Sequence, residues 1–241
     1  MNIIITGANR GIGKALVEVF ASNGFNIWAC ARKPNLEFEE FLIALSKRNN
    51  VWVKPIYFEM TDEESLKKGM EKIFTDKQPI DVLINNAGIS TVGLLNQTNI
   101  EDVKHLFDVN YFSVLRIIQL VSKKMMMKRK GVIINIASLA GIEPQPGKIA
   151  YGSSKAAIIL MTQCLAKELG PIGIRVNAIA PGPIMTEMIH QYKDEMLKKL
   201  EAESSLRRLG KPEEIAQTAL FLASNQASYI NGEIIRVDGG R

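Results

Sequence analysis

The chain has 241 residues, of which 46% are hydrophobic and 23% are charged, and this composition is typical of a soluble globular protein. It excludes collagen, coiled coils and disordered chains, and because no apolar run reaches the roughly 18 residues of a membrane-spanning helix, we expect a cytoplasmic protein without a membrane partner. The formal net charge is only +5, with no long block of like charges, so we expect no nucleic-acid partner either.

Short runs rich in β-branched residues alternate along the chain with longer segments of helical periodicity. Seven strands are predicted, at residues 2–6, 26–31, 51–58, 81–85, 131–137, 173–179 and 232–237. Strands that alternate with helices predict repeated βαβ units and a parallel sheet with helices on both faces. An α/β chain of this length commonly forms one unit, so we predict a single doubly wound Rossmann domain over residues 1–241.

Several local signals mark the starts of helices. After the first strand, apolar residues recur at helical spacing, at Ile12, Ala15, Leu16, Val19 and Phe20. Two later helices are predicted to begin with capping boxes, formed by Thr61 with Glu64 and by Thr98 with Glu101. Pro212, which two glutamates follow, predicts the start of another helix.

Two segments follow neither periodicity, residues 143–147 and about 183–210. Long loops in compact domains are usually functional, so we expect both to border a substrate and the second to form a lid. The lid contains an apolar set that could cover an acyl chain or simply fill space: Ile184, Met185, Met188, Ile189, Tyr192 and Met196.

The two cysteines, Cys30 and Cys164, lie in apolar segments without the spacing of metal ligands. We therefore expect both to be reduced thiols in the core of the protein. The two histidines, His105 and His190, make a zinc site or a serine-histidine hydrolase improbable, and we expect no metal.

Three glycines, Gly7, Gly11 and Gly13, directly follow the first predicted strand and lead into the predicted helix. Glycines let the chain turn tightly and let a pyrophosphate approach the backbone, where the positive end of the helix faces it. The spacing alone would fit any glycine-rich turn. Its place between a strand and a helix at the start of the chain favours a dinucleotide-binding loop.

The end of the second predicted strand reads Cys30-Ala31-Arg32-Lys33. NAD-specific folds carry an acidic residue there, which binds the ribose 2′-hydroxyl. Arg32, together with Arg10 from the glycine loop, could instead bind a 2′-phosphate through charge-assisted hydrogen bonds. The alternative is that Arg32 and Lys33 only solvate a loop. We expect NADP(H) as the cofactor.

Residues of catalytic type follow the predicted fifth strand. Ser138 lies at its carboxyl end, and Tyr151 and Lys155, four residues apart, share one face of a helix. An ammonium beside a phenol lowers the pKa of the phenol from its ordinary value near ~10 towards neutrality, although such a pair taken alone could simply be solvated. Asn110 lies within an apolar helical stripe, so it is predicted to bind backbone or to take part in a proton relay.

Together these motifs resemble the short-chain dehydrogenase/reductase family along nearly the whole chain. The resemblance is carried by the loop 6–13, Asn85-Asn86-Ala87-Gly88, Asn110, Ser138, Tyr151-x-x-x-Lys155, Pro181-Gly182-x-Ile184-x-Thr186 and Val237-Asp238-Gly239-Gly240. It implies an oxidoreductase that transfers hydride between NADPH and a carbonyl. One departure is Glu59-Met60, where the family usually carries an aspartate and a small aliphatic residue at the adenine contact.

The resemblance also implies the roles of individual residues. Tyr151 would be the acid/base, and Lys155 would lower the pKa of this tyrosine and bind ribose. Ser138 would polarise the carbonyl, and Asn110 would organise a water relay. The residues implied to bind the cofactor are Gly7, Asn9, Arg10, Gly11, Ile12, Gly13, Arg32, Glu59, Met60, Asn86, Ala87, Gly88, Tyr151, Lys155, Pro181, Gly182, Ile184 and Thr186.

Within the family, the sequence is most similar to 3-oxoacyl-[acyl-carrier-protein] reductases, notably at residues 206–210 and 221–224. An acidic carrier protein would need a basic surface, and a basic cluster ends one long predicted helix: Lys123, Lys124, Lys128, Arg129 and Lys130. These cations could equally complement the C-terminus of the helix. Ile172 stands where the acyl-carrier reductases have a second basic residue, which counts against carrier docking.

Two other functions remain open. A reductase or dehydrogenase of a sugar, polyol or other small ketone would keep the same site, whereas an NADP sensor without turnover would lose Ser138, Tyr151 or Lys155, which are all present. The resemblance further implies a homotetramer, in which helices at about 99–129 and 151–170 pair across subunits. The apolar run 156–161 agrees, because a helix without a polar face must be covered on more than one side.

Overall fold

A parallel sheet of seven strands runs through the residues that the computed structural model describes, 1–187 and 194–241. Its strands are Asn2–Thr6 (β1), Asn26–Ala31 (β2), Val53–Tyr57 (β3), Val82–Asn85 (β4), Gly131–Ile136 (β5), Ile174–Pro181 (β6) and Ile234–Val237 (β7). Their order is β3-β2-β1-β4-β5-β6-β7, with all neighbours parallel. The chain moves outward in opposite directions from β1 and from β4. The crevice between these two strands is therefore the topological switch point at which such folds bind ligands.

Helices cover both faces of the sheet. The α-helices of the described residues are Gly11–Ser22 (α1), Leu36–Asn49 (α2), Glu63–Thr75 (α3), Ile100–Phe107 (α4), Ser113–Lys128 (α5), Ile149–Leu169 (α6), Asp194–Glu203 (α7) and Pro212–Ala223 (α8). Helices α1, α2 and α8 pack on one face, and α3, α5 and α6 pack on the other. In this part of the chain no helix is long and apolar enough to cross a membrane. The predicted doubly wound α/β domain with seven strands is confirmed.

The central strands are buried on both faces, which explains their uninterrupted apolar sequences. In β1, Ile3 and Ile5 belong to the core under α1, α2 and α8, whereas Ile4 belongs to the core under α3, α5 and α6. Successive side chains of a strand point to opposite faces, so a strand that helices cover on both sides needs apolar residues at every position. Because all the strands are parallel, their carboxyl ends lie along one edge of the sheet.

Two helices begin one residue later than predicted. The N-caps of α3 and α4 are Asp62 and Asn99, whose side chains accept hydrogen bonds from backbone N–H groups at 3.0 and 2.8 Å. The predicted capping boxes at Thr61 and Thr98 are therefore wrong. Asp and Asn are stronger N-caps than Thr, and each of them directly follows the threonine. The predicted helix start at Pro212 is confirmed.

The two cysteines have different surroundings. Cys30 is buried in β2, and burial raises the pKa of its thiol. Cys164 is exposed on α6, so the prediction that both are core thiols is wrong for this residue. Apolar residues occupy the outer as well as the inner side of α6, with Leu160 62% exposed, and an apolar neighbourhood in the sequence therefore does not identify the buried side.

Candidate active site

The loop between β1 and α1 has the backbone shape that a bound pyrophosphate needs. Gly7 and Gly11 have φ angles of +64° and +50°, in the left-handed region that residues with a Cβ rarely adopt. A Cβ on Gly13 would lie 1.9 Å from the carbonyl oxygen of Gly7, so the loop can pack on α1 only without a side chain there. Arg10 stands at the N-cap of α1 and its side chain does not cap the helix. The N-terminal N–H groups therefore suit an anion.

Asn86 joins the glycine loop to the strand on the other side of the switch point. Its Nδ2 donates hydrogen bonds to the carbonyl oxygens of Thr6 and Gly7 at 3.0 and 3.1 Å. In return, Thr6 Oγ1 accepts hydrogen bonds from the backbone N–H groups of Asn86 and Ala87, both at 3.0 Å. The turn after β4 thus fixes the loop after β1.

A buried chain of polar side chains connects β4 with β5 and α6. Asn85 Nδ2 donates to Asn135 Oδ1 at 2.8 Å, and Asn135 Nδ2 donates to Thr162 Oγ1 at 2.9 Å. Asn135 and Thr162 have no exposed surface. Neither was among the predicted site residues, although a single amide inside the apolar run Ile133–Ile136 is a signal that could have identified Asn135.

The turn after β5 brings Ser138 against the helix that carries Tyr151 and Lys155. A Cβ on Gly141 would lie 2.7 Å from the carbonyl carbon of Lys155, and a Cβ on Gly152 would lie 2.6 Å from a carbonyl oxygen of the turn. The turn and α6 can therefore approach this closely only with glycine at both positions. These two glycines were not predicted, because the need for them arises from a contact between separate elements.

Lys155 is buried beside this turn and is 5% exposed. Its Nζ donates a hydrogen bond to Ile136 O at 2.8 Å and lies 5.9 Å from the centre of the Tyr151 ring. Burial favours the neutral amine and lowers the pKa of Lys155 to about 8. Below that pH the amine is charged, and the low dielectric around it strengthens its effect on the neighbouring phenol.

The burial of Lys155 predicts a pH dependence of stability. Its pKa is about 8 in the folded protein against an ordinary 10.5, so between these values the folded state binds fewer protons than the unfolded state. The free energy of unfolding that this group contributes therefore rises with pH across that window. We expect the difference in unfolding free energy, wild type minus Lys155→Met, to increase by on the order of 2 kcal/mol between about pH 7 and pH 10 in urea titrations. A constant or falling difference would contradict the expectation.

A π-helical turn, Asp108–Phe112, separates α4 from α5 and interrupts the single helix predicted at about 99–129. Such turns occur frequently at functional sites. Within this turn, Asn110 Oδ1 accepts a hydrogen bond from Ile89 N at 2.9 Å, and its Nδ2 donates to Ile89 O at 2.9 Å and to Ser154 Oγ at 3.1 Å. Asn110 therefore holds the backbone after β4 against α6, as predicted for a buried amide that binds backbone. Its part in a water relay stays a prediction.

Gly88 leaves a small space between two of the predicted catalytic residues. The position that a Cβ on Gly88 would take lies 3.1 Å from Asn110 Oδ1 and 3.5 Å from Lys155 Nζ. The amide and the amine, which are distant in the sequence, thus border the same space beside the end of β4.

Each arginine predicted to bind phosphate lies near a carboxylate. Arg32 Nε is 4.0 Å from Glu59 Oε2, and Arg10 Nη1 is 4.0 Å from Glu187 Oε2. The side chains of Arg10, Arg32 and Glu187 are largely exposed to solvent, and that of Glu59 is 41% exposed. The sequence places each carboxylate far from its arginine, so neither pair was predicted.

The two ends of segment 183–210 pair with each other after β6. Ile184 pairs with Gly210 in an isolated bridge, and Met185 N donates to Gly210 O at 2.8 Å. Between these ends the described residues include α7, which exposes Met196. The predicted lid residues Met188, Ile189 and Tyr192 lie outside the described residues.

The residues implied to bind a dinucleotide lie along the carboxyl edge of the sheet. Thr186 covers the glycine loop, since its Cγ2 is 3.2 Å from the position of a Cβ on Gly11. The others lie at or just after the ends of β1, β3, β4 and β6: Asn9, Ile12, Met60, Ala87, Gly88, Pro181, Gly182 and Ile184. These residues therefore follow the carboxyl ends of several strands of one parallel sheet.

Comparisons with known proteins cover almost all of the chain. A family model described as Enoyl-(Acyl carrier protein) reductase matches residues 7–241. A 3-oxoacyl-[acyl-carrier-protein] reductase of Thermotoga maritima is 40% identical over 238 residues, 98% of this chain and 96% of the relative.

Two solved structures are also similar. A gluconate dehydrogenase candidate of Agrobacterium tumefaciens is 28% identical, with a TM-score of 0.94 over 99% of this chain and 94% of that one. A 3-oxoacyl-[acyl-carrier protein] reductase of Brucella melitensis with bound NAD is 31% identical, with a TM-score of 0.90 over 99% of this chain and 90% of that one. The chain therefore belongs to the short-chain dehydrogenase/reductase family, and it is an oxidoreductase that acts on carbonyl or hydroxyl groups.

Proposed function

We propose that the protein is an NADPH-dependent 3-oxoacyl-[acyl-carrier-protein] reductase. The observation that carries this proposal is the close packing of the turn after Ser138 on the helix with Tyr151 and Lys155, at the edge that also carries the glycine loop. The near full-length similarity to reductases of this class in Thermotoga maritima and Brucella melitensis supports the substrate.

The residues of the edge fit a nicotinamide dinucleotide. A Cβ at Gly13 would collide with the carbonyl oxygen of Gly7. The side chain of Arg10 does not cap the N-terminus of α1. Bound NADPH supplies a hydride to a carbonyl carbon. Gly7, Gly11 and the first turn of α1 would hold the pyrophosphate.

The polar groups of the site are suited to stabilise a carbonyl oxygen that gains negative charge. Ser138 Oγ accepts a hydrogen bond from Ala140 N at 3.2 Å, so its own hydrogen is directed elsewhere and can be donated to that oxygen. Tyr151 Oη would donate the proton that completes the alcohol. Lys155, charged below a pKa of about 8, favours the phenolate that remains and allows reprotonation.

A preference for NADPH is supported by the absence of an acidic residue at the end of β2. The sequence there is Ala31-Arg32-Lys33, and Arg32 is positioned to bind a 2′-phosphate at the adenosine end of the dinucleotide. Arg10 in the glycine loop is a second cation that could bind the same phosphate.

A carrier-bound substrate is supported by the basic cluster at the end of α5. Its members are all exposed: Lys123, Lys124, Lys128, Arg129 and Lys130. An acidic carrier protein would be attracted to such a surface. The same cations also complement the C-terminus of α5, and Ile172 offers no second basic contact. We also propose that segment 183–210 forms the lid over the acyl chain.

A homotetramer is part of the proposal, with α4 to α6 at an interface between subunits. Phe112, Ile149 and Leu160 are 56%, 53% and 62% exposed on these elements. An association between subunits would cover these apolar side chains, which in the single chain face solvent. Light scattering at working concentration would measure the mass of four chains, and a stable monomer would contradict this part of the proposal.

The function is tested by comparing substrates under one set of conditions. We expect NADPH oxidation with a 3-oxoacyl thioester of a carrier protein, at a kcat/KM at least about 10-fold above that for sugars and simple ketones. A 2-enoyl thioester is included because the matched family model is described as an enoyl reductase. Faster oxidation with the enoyl thioester or with a sugar would contradict the proposal.

A sugar or polyol dehydrogenase is the second candidate. The similarity to the gluconate dehydrogenase candidate of Agrobacterium tumefaciens, at a TM-score of 0.94, favours it. NADP or NAD reduction with gluconate and related polyols would then exceed every rate measured with thioesters.

A further inference from the structure

Arg32 and Glu59 stand side by side at the edge of the sheet because they follow neighbouring strands. Ala31 of β2 and Tyr57 of β3 are partners in the parallel register, and Phe58 N donates to Ala31 O at 3.1 Å. The residues after these positions are therefore close, and Arg32 Nε lies 4.0 Å from Glu59 Oε2.

The backbone and the carboxylate of Glu59 each have one hydrogen-bond partner other than Arg32. The backbone N–H of Glu59 donates to Ser65 Oγ at 3.0 Å, and Met60 N donates to Glu59 Oε1 at 2.9 Å. Glu59 Oε1 thus binds the backbone of the next residue, and Oε2 is the oxygen that lies near Arg32 Nε. If Arg32 turned to another partner, the hydrogen bond from Met60 N would still hold the carboxylate just after the end of β3.

A phosphate bound by Arg32 would therefore stand near a fixed carboxylate. The 2′-phosphate of NADP(H) carries about two negative charges, and like charges at short range oppose each other. The 2′-hydroxyl of NAD(H) carries no charge and meets no such opposition. At 4.0 Å the carboxylate makes no hydrogen bond to the guanidinium, so its effect on a bound phosphate is that of its charge.

We propose that Glu59 is a specificity-determining residue that weakens the binding of NADP(H) relative to NAD(H). This inference rests on the proposed function, in which the adenosine ribose binds beside Arg32. In the wild type, Glu59 reduces the difference in affinity between NADP(H) and NAD(H) that Arg32 creates. The protein therefore binds both nucleotides. The side chain of Glu59 is 41% exposed and that of Arg32 is 71% exposed, and solvent therefore limits the effect to a few-fold.

The test measures binding of NADPH and NADH separately, by nucleotide fluorescence without a carbonyl substrate. The variant is Glu59→Gln, which removes the charge and keeps an oxygen for the Met60 N–H group. We expect the ratio of Kd for NADH to Kd for NADPH to rise by about 3- to 5-fold. The rise should shrink at high salt, because exposed charges are screened.

Glu64→Gln is the matched control. Glu64 carries the same charge on α3, and its carboxylate pairs with Lys68 at 2.6 Å on an exposed surface. We expect this variant to leave the ratio of the two Kd values unchanged. Thermal unfolding of both variants verifies that they fold like the wild type.

The outcomes separate this inference from the proposed function. A ratio that falls, or Kd values that change equally for both nucleotides in Glu59→Gln, would overturn the role of Glu59 and leave the proposed reductase intact. A wild type that binds NADH more tightly than NADPH would contradict the proposed cofactor preference, whereas a higher ratio in Glu59→Gln would still support the role of Glu59. Failure of the wild type to bind either nucleotide would overturn both.

Discussion

Tyr151→Phe is expected to lower kcat by about 10²- to 10⁴-fold, because it removes the only hydroxyl assigned to give the proton to the reduced carbonyl oxygen. The aromatic ring, and with it the contact to Lys155 at 5.9 Å from the ring centre, is retained. The Kd for NADPH should therefore change little. Steady-state kinetics with a 3-oxoacyl thioester and fluorescence titration with NADPH measure the two quantities.

Tyr229→Phe is the matched control for that substitution. Tyr229 is fully exposed before β7, so removing its hydroxyl affects only solvent contacts. Its kcat should equal that of the wild type. If Tyr151→Phe kept more than about a tenth of the wild-type kcat, another group would have to supply the proton, and the assignment of Tyr151 would be lost.

Gly13→Ala is expected to abolish measurable binding of NADPH and to destabilise the protein. The new Cβ would lie 1.9 Å from Gly7 O and 2.7 Å from Asn86 Nδ2, so it would push the glycine loop away from α1. It would also disturb the amide that holds this loop to the turn after β4. Overpacking of this kind costs about 1 to 3 kcal/mol, which lowers Tm by several degrees in a chain of this size. Fluorescence titration and thermal unfolding are the measurements.

Gly93→Ala provides the matched glycine substitution. A Cβ at Gly93 would meet its nearest atoms at 3.6 Å, an ordinary van der Waals distance. Binding of NADPH and Tm should both stay close to the wild-type values. Equal losses in the two variants would mean that the effect of Gly13→Ala does not arise from its contact with Gly7, and the specific role of Gly13 would be refuted.

The fold could be predicted because each strand and helix is specified by residues that are close together in the sequence. Each central strand is covered by helices on both faces, so strands such as β1 and β5 consist of nearly continuous apolar residues that stand out from the amphipathic helices between them. The glycine loop was predictable for a similar reason, since the left-handed φ angles of Gly7 and Gly11 demand glycine within one short segment.

The features that were not predicted arise between distant segments or between neighbours of similar type. Gly141 and Gly152 are required by the contact of two elements, and Glu59 reaches Arg32 only because β2 and β3 are adjacent. The helix caps were assigned one residue too early, because a threonine precedes a stronger cap at both sites. Cys164 lies on a helix whose two sides are both apolar, so the sequence does not distinguish the outer side.

The pairing of Ile184 with Gly210 has an evolutionary consequence. The two ends of segment 183–210 meet there, but residues inside it also bind the chain after β7, where Leu206 N donates to Gly239 O at 3.1 Å and Ser205 Oγ donates to Gly240 O at 2.7 Å. Relatives that share the same sheet are therefore expected to change this insert and the residues after β7 together. Transplanting residues 185–209 alone should lower folding stability more than transplanting them together with residues 238–241.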